Sequence, residues 1–199
     1  MNGPLTSQID LLSFPKGPRN WIPGFNRSHT AWRILSGKWE RADQNNIIYR
    51  GQPSVKNPEN ISIIGDRSWK AFTLQVNFTI LTNSIKPPEG GAIIYFLFKN
   101  TKNYYSLHFC LCKQRIEVIK RYKGIWTTLG QSDFHLRTQK DYFVSITTDS
   151  GIHQTKIDGA NPITVTDLEI QKGCVGIGAK YCDLMLNEIV LNIPPERGC

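Results

Sequence analysis

The sequence predicts a single all-β domain built as a two-sheet antiparallel sandwich. Apolar and polar side chains alternate through run after run, residues with turn chemistry separate the runs, and no window forms an amphipathic helix of three turns. The clearest run is Phe72 to Ile80, where Phe72, Leu74, Val76, Phe78 and Ile80 face one way and Thr73, Gln75, Asn77 and Thr79 the other. Ala92 to Phe98 is almost continuously apolar, which predicts a strand covered on both faces. Tyr104 to Leu111 alternates again, with Tyr105, Leu107, Phe109 and Leu111 inward. Further strands are expected at Asp141 to Thr148, Ile152 to Ile157, Ile163 to Thr166, Cys174 to Ile177 and Leu184 to Leu191. Asp149-Ser150-Gly151 and Asp158-Gly159 fall between alternating runs, where hairpin turns belong. A length of 199 residues suits one such domain, with residues 1–29 an N-terminal strand and irregular segment packed on a sandwich core of residues 30–191.

Composition narrows the class. Hydrophobic residues make up 40% and charged residues 20%, the balance of a folded globular chain. No apolar run approaches the roughly 18–20 residues of a transmembrane helix. Met1 to Leu12 lacks the cationic flank and apolar stretch of a signal peptide, so a cytoplasmic location is expected; a native start other than Met1 removes that inference and leaves secretion as the alternative. Five cysteines leave at least one unpaired within the monomer; Cys174 and Cys182 are spaced for a bridge across a hairpin, and free thiols are the plainer expectation. Asn26, Asn60 and Asn77 head N-x-S/T sequons at a frequency chance alone supplies. The formal charge is +8, and five basic residues between Lys113 and Lys123 surround the single Glu117. Such a segment reads as a solvated strand face or as a contact for a polyanion.

Two groups of residues carry a resemblance. Trp32-Arg33-Ile34-Leu35-Ser36-Gly37-Lys38-Trp39 forms a W-x(4)-G-x-W pattern, followed by a strand through Asn46 to Tyr49. Ser68 to Leu74, Gly91 to Phe98, Tyr104 to Leu107, Ile157-Asp158-Gly159, Val165-Thr166-Asp167 and Gly173 to Gly178 then follow in order. This series resembles the concanavalin A-like lectin/glucanase superfamily, in particular its laminin G-like members and the related domains of keto-disaccharide hydrolases. The resemblance covers residues 30 to 191 and implies a jelly-roll β-sandwich with a curved sheet whose concave face receives saccharide. It departs from many relatives near the end, where Leu186-Asn187-Glu188-Ile189 replaces a Phe-Asp-Asn signature beside a structural calcium; Asp183 alone is far short of a calcium ligand set.

Catalytic motifs are missing from the sequence. The closely spaced carboxylates of a glucanase strand do not occur, and there is no zincin, nucleophile-elbow, Walker or C-x-x-C pattern. His29, His108, His135 and His153 show no metal-ligand spacing, so no catalytic residue is assigned and neither metal nor cofactor is expected. The candidate ligand-binding residues are the outward alternates of the middle strands: Tyr95, Tyr104, His108, Glu117 and Arg121, with Trp126 on the following strand. Tyr and Trp offer flat apolar faces with polar tips, and Arg and Glu hydrogen-bond hydroxyls. Trp32, Trp39 and Trp69 are expected to be structural, and Trp21 to cap a site or pin the N-terminal segment. The expected function is a lectin-like carbohydrate-binding or interaction module using the concave face. A carbohydrate-active hydrolase on the same face is the alternative, and a basic scaffold for a polyanion or protein partner the second alternative.

Overall fold

Alternation sorts the strands into two layers. The structure is a computed structural model that describes residues 7–10, 32–41, 47–50, 60–83, 90–160 and 163–194. Its strands are β1 (Ser7–Asp10), β2 (Arg33–Ser36), β3 (Lys38–Arg41), β4 (Ile47–Arg50), β5 (Asn60–Ile64), β6 (Phe72–Asn83), β7 (Gly91–Asn100) and β8 (Asn103–Cys110). They continue with β9 (Arg115–Tyr122), β10 (Ile125–Asp133), β11 (Asp141–Asp149), β12 (Ile152–Ile157), β13 (Ile163–Thr166), β14 (Cys174–Lys180) and β15 (Cys182–Ile193). One sheet runs β13-β12-β11-β6-β15-β4-β3, with β1 also paired to β15; the other runs β10-β9-β8-β7-β14-β5-β2. Every pairing among them is antiparallel. The described residues contain no helix, and so none long and apolar enough to cross a membrane.

The inward alternates of both sheets meet in one core. Phe72, Leu74, Val76, Phe78 and Ile80 from β6 pack there with Tyr105, Leu107, Phe109 and Leu111, all buried, as the period-two pattern requires. Trp69 joins this core and Trp32 packs against it, so both are structural; the side chain of Trp39, like Trp21, His29 and Asn26, lies outside the described residues. Gly37 turns at φ 90° between β2 and β3, which belong to different sheets. Ser150-Gly151, both at positive φ, match the twist of a tight two-residue hairpin, whereas Asp158-Gly159, also at positive φ, begin a longer connection from β12 to β13. Cys110, Cys174 and Cys182 are free thiols. Cys182 sits in the main core while Cys174 belongs to a separate cluster, which is why their spacing produces no bridge.

β7 departs from regular geometry at one point. Leu97 has φ 48°, and the pairing with both β8 and β14 slips there. The extra residue changes which way the strand faces. Phe96 and Leu97 both enter the main core, whereas Phe98 turns to the opposite face beside Tyr95. A strand buried on both sides is the result, as its continuous apolar character predicts.

Candidate functional site

The candidate residues lie on the outer face of the seven-stranded sheet. β7, β8, β9 and β10 are consecutive neighbours there. Register sets Tyr104 opposite Arg121, His108 opposite Glu117, and Arg121 opposite Trp126. Lys123-Gly124, both at positive φ, close the two-residue turn that fixes the last pairing. The six residues therefore form one continuous patch. Tyr95 and Tyr104 meet edge to face at 5.2 Å, Tyr104 and Trp126 at 5.9 Å, and His108 and Trp126 at 6.2 Å. The Arg121 guanidinium lies 4.8 Å from the Trp126 ring centroid.

The patch is only partly open. Tyr95 and Tyr104 are fully buried, in a second apolar cluster with Ile61, Ile63, Ile93, Phe98 and Cys174. Neither ring is offered to a ligand, which corrects the expectation that both would be. Alternation places a residue on the outer face, but burial there depends on what covers the face. Trp126 is 43% exposed and His108 and Arg121 are half-buried. Two tyrosines packed beneath thus support a Trp ring held edge-on by Tyr104 and His108 and covered in part by a cation.

Glu117 is 8% exposed and already engaged. Arg115 approaches it at 3.2 Å and Lys113 at 3.8 Å, and the Cys110 thiol donates a weak bond at 3.7 Å. Burial, and then the Glu117 carboxylate, push the Cys110 thiol up to about 12, so it stays protonated and unreactive at neutral pH. Arg115 also donates to Gln131 at 3.2 Å, extending the polar edge of the patch onto β10. Arg115 and Gln131 were not singled out from sequence: the Lys123-Gly124 turn aligns β9 with β10 only as far as Thr128, and a one-residue register shift between Thr128 and Gly130 then puts Gln131 opposite Glu117.

A second polar constellation also escaped the sequence reading. In β9, Ile116, Val118, Lys120 and Tyr122 share the inward face, so Lys120 demands a partner. It finds Asp167 at 2.5 Å and Glu169 at 2.7 Å. Tyr105 donates to Asp167 at 2.5 Å and accepts from the Ile170 amide at 3.2 Å. Burial alone would raise the Asp167 carboxyl, but Lys120, Tyr105 and the Glu169 amide outweigh it and hold it below its ordinary value. Burial and the bond to Asp167 push Tyr105 upward. The basic segment is thus divided: Arg115 and Arg121 face outward, while Lys120 is committed to the interior edge.

No protein-family model matches the chain, and no curated protein matches it in sequence. Solved structures do share its architecture. A carbohydrate-binding module, CBM66 from Bacillus subtilis, has a TM-score of 0.69 at 15% identity, over 81% of this chain and 94% of that one. The calcium-bound exoplasmic/lumenal domain of VIP36 has a TM-score of 0.62 at 14% identity, over 91% and 90%. A Bacillus subtilis protein of unknown function with a galectin-like fold has a TM-score of 0.62 at 12% identity, over 83% and 90%. At such identities the likeness is one of fold: the chain adopts the lectin-like, two-sheet antiparallel β-sandwich of the concanavalin A-like and galectin-like proteins.

Proposed function

We propose that this chain is a lectin-like carbohydrate-binding module that receives saccharide on the outer face of β8, β9 and β10. The observation that carries the reading is Trp126, a large aromatic ring left 43% exposed yet held by three neighbours. A ring fixed in advance loses little conformational freedom when a sugar stacks on it. Arg121 and His108 flank it, and Arg115 and Gln131 lie farther along the same face, all groups suited to hydroxyls. The fold shared with CBM66 and VIP36 supports the reading without choosing a ligand. The finer kinship with laminin G-like and keto-disaccharide hydrolase-related domains rests on the W-x(4)-G-x-W pattern and the ordered segments that follow it.

A glycan panel, read by titration calorimetry, tests this. The wild type binds at least one glycan class, and Trp126→Ala weakens that binding at least tenfold while leaving the thermal transition in place. A folded wild type that binds nothing across a broad panel overturns the proposal. Among the described residues no group of three or more His, Cys, Asp or Glu is placed to hold a metal ion, so binding is expected to persist in EDTA. The hydrolase alternative has less support, because the Glu117 carboxylate is occupied by Arg115 and Lys113. Product release from any panel glycan, lost in Glu117→Gln, would restore it.

A further inference from the structure

One end of the sandwich concentrates positive charge. The β7–β8 turn carries Lys102 and the β9–β10 turn carries Lys123, with Arg121 on the outer face beside Trp126. On the inner side of the same end lies a pocket of about 340 Å³ lined by Lys70, Lys99, Lys172, Asn103, Tyr122 and Glu169. The facing change at Leu97 accounts for Lys99: with Phe96 and Leu97 inward and Phe98 outward, the next side chain returns to the inner side. Three lysines thus line one cavity with a single carboxylate. That carboxylate, Glu169, is held by Lys120 at 2.7 Å. Among the described residues, Lys70, Lys99 and Lys172 make no ion pair.

Like charges brought together around a concavity repel unless an anion enters it. The walls are also fixed in advance. Asp167 is tied to Tyr105 and Lys120, the Ile170 amide to Tyr105, and the Gly173 amide to the Trp69 carbonyl at 3.0 Å. The segment bearing Lys172 is therefore anchored on both sides of it. The volume is at the small end for ligand pockets, enough for a sugar residue with its substituent rather than an extended chain.

We infer that this pocket receives the anionic substituent, a carboxylate or a sulfate, of an acidic saccharide held by the same end of the sandwich as Trp126. The inference rests on the carbohydrate-binding reading and specifies its ligand class. Tyr122 lines the pocket from β9 while its chain neighbour Arg121 covers Trp126 from the other side, so one glycan passing over the β9–β10 turn reaches both.

Titration of full-length protein with a polyuronate, a sulfated glycosaminoglycan and a neutral glucan, each at low and moderate salt, tests it. At least one acidic polymer binds tenfold or more tightly than the glucan, and its affinity falls as salt rises. Lys99→Ala with Lys172→Ala removes that preference while leaving neutral-glycan affinity within twofold; Lys172→Glu, altering one exposed position, does the same if the double variant unfolds. The uronate and sulfate arms identify which anion is preferred. Acidic and neutral polymers bound equally, with no effect of the lysine changes, overturn the inference and leave the carbohydrate-binding reading standing. Absence of binding to every glycan overturns that reading with it. Single-stranded DNA bound as tightly as the best acidic glycan also overturns the inference, because it shows an unselective cationic surface.

Discussion

Lys120 shows how one side chain can organise a site without touching a ligand. Its position in β9 calls for an apolar residue, and its charge is tolerated because Asp167 and Glu169 come to it. Asp167→Asn is therefore expected to cost about 1–3 kcal/mol, since it leaves a mostly buried cation half-paired. For a chain of this size each kcal/mol lowers Tm by about 2–4 °C, which calorimetry can read. Tyr105→Phe removes the donor to Asp167 and the acceptor for Ile170 and is expected to cost about 1–2 kcal/mol. The Lys120 partnership was hidden in the sequence because Asp167 lies 47 positions away in another segment. Alternation announces that Lys120 faces inward; it does not name the partner.

At the level of elements, the strand pattern was almost fully legible and coverage was not. The period-two runs at Phe72–Ile80, Tyr104–Leu111 and Asp141–Thr148 lie within or across β6, β8 and β11, and their inward residues fill the core. β5 was missed although Asn60-Ile61-Ser62-Ile63 alternates in polarity, because the run is only five residues long and its polar members are buried as fully as its apolar ones. Tyr95 and Tyr104 were assigned to the right face and the wrong environment. Strands β14 and β5 meet closely at Gly178, where a Cβ would lie 2.2 Å from the Asn60 carbonyl oxygen and 2.9 Å from the Tyr95 ring. Gly178→Ala is expected to force these strands apart and cost about 1–3 kcal/mol in urea unfolding. It should also loosen the tyrosine layer beneath Trp126 and weaken glycan binding.

For the whole molecule, the same groups set the response to pH. Burial keeps His153 below its ordinary value despite the pull of Asp167, so the folded state binds fewer protons than the unfolded one as pH falls below about 6.5. Stability declines through that window. A second decline follows at lower pH, as Asp167, which stays ionised below its ordinary range, is finally protonated. Urea titrations at pH 7, 6 and 5 should show a falling midpoint, and His153→Asn should flatten that slope. An unchanged slope would assign the acid sensitivity to other groups.

The slip at Leu97 makes strand length a determinant in its own right. Removing one residue between Phe96 and Lys99 would leave the composition of β7 nearly intact, yet it would exchange the destinations of everything beyond the cut. The aromatic would drop into the interior and the amine would swing away from the cavity. Comparing related chains at this strand by counting positions, rather than by matching letters, will thus distinguish those that keep the cationic end from those that only keep its lysines.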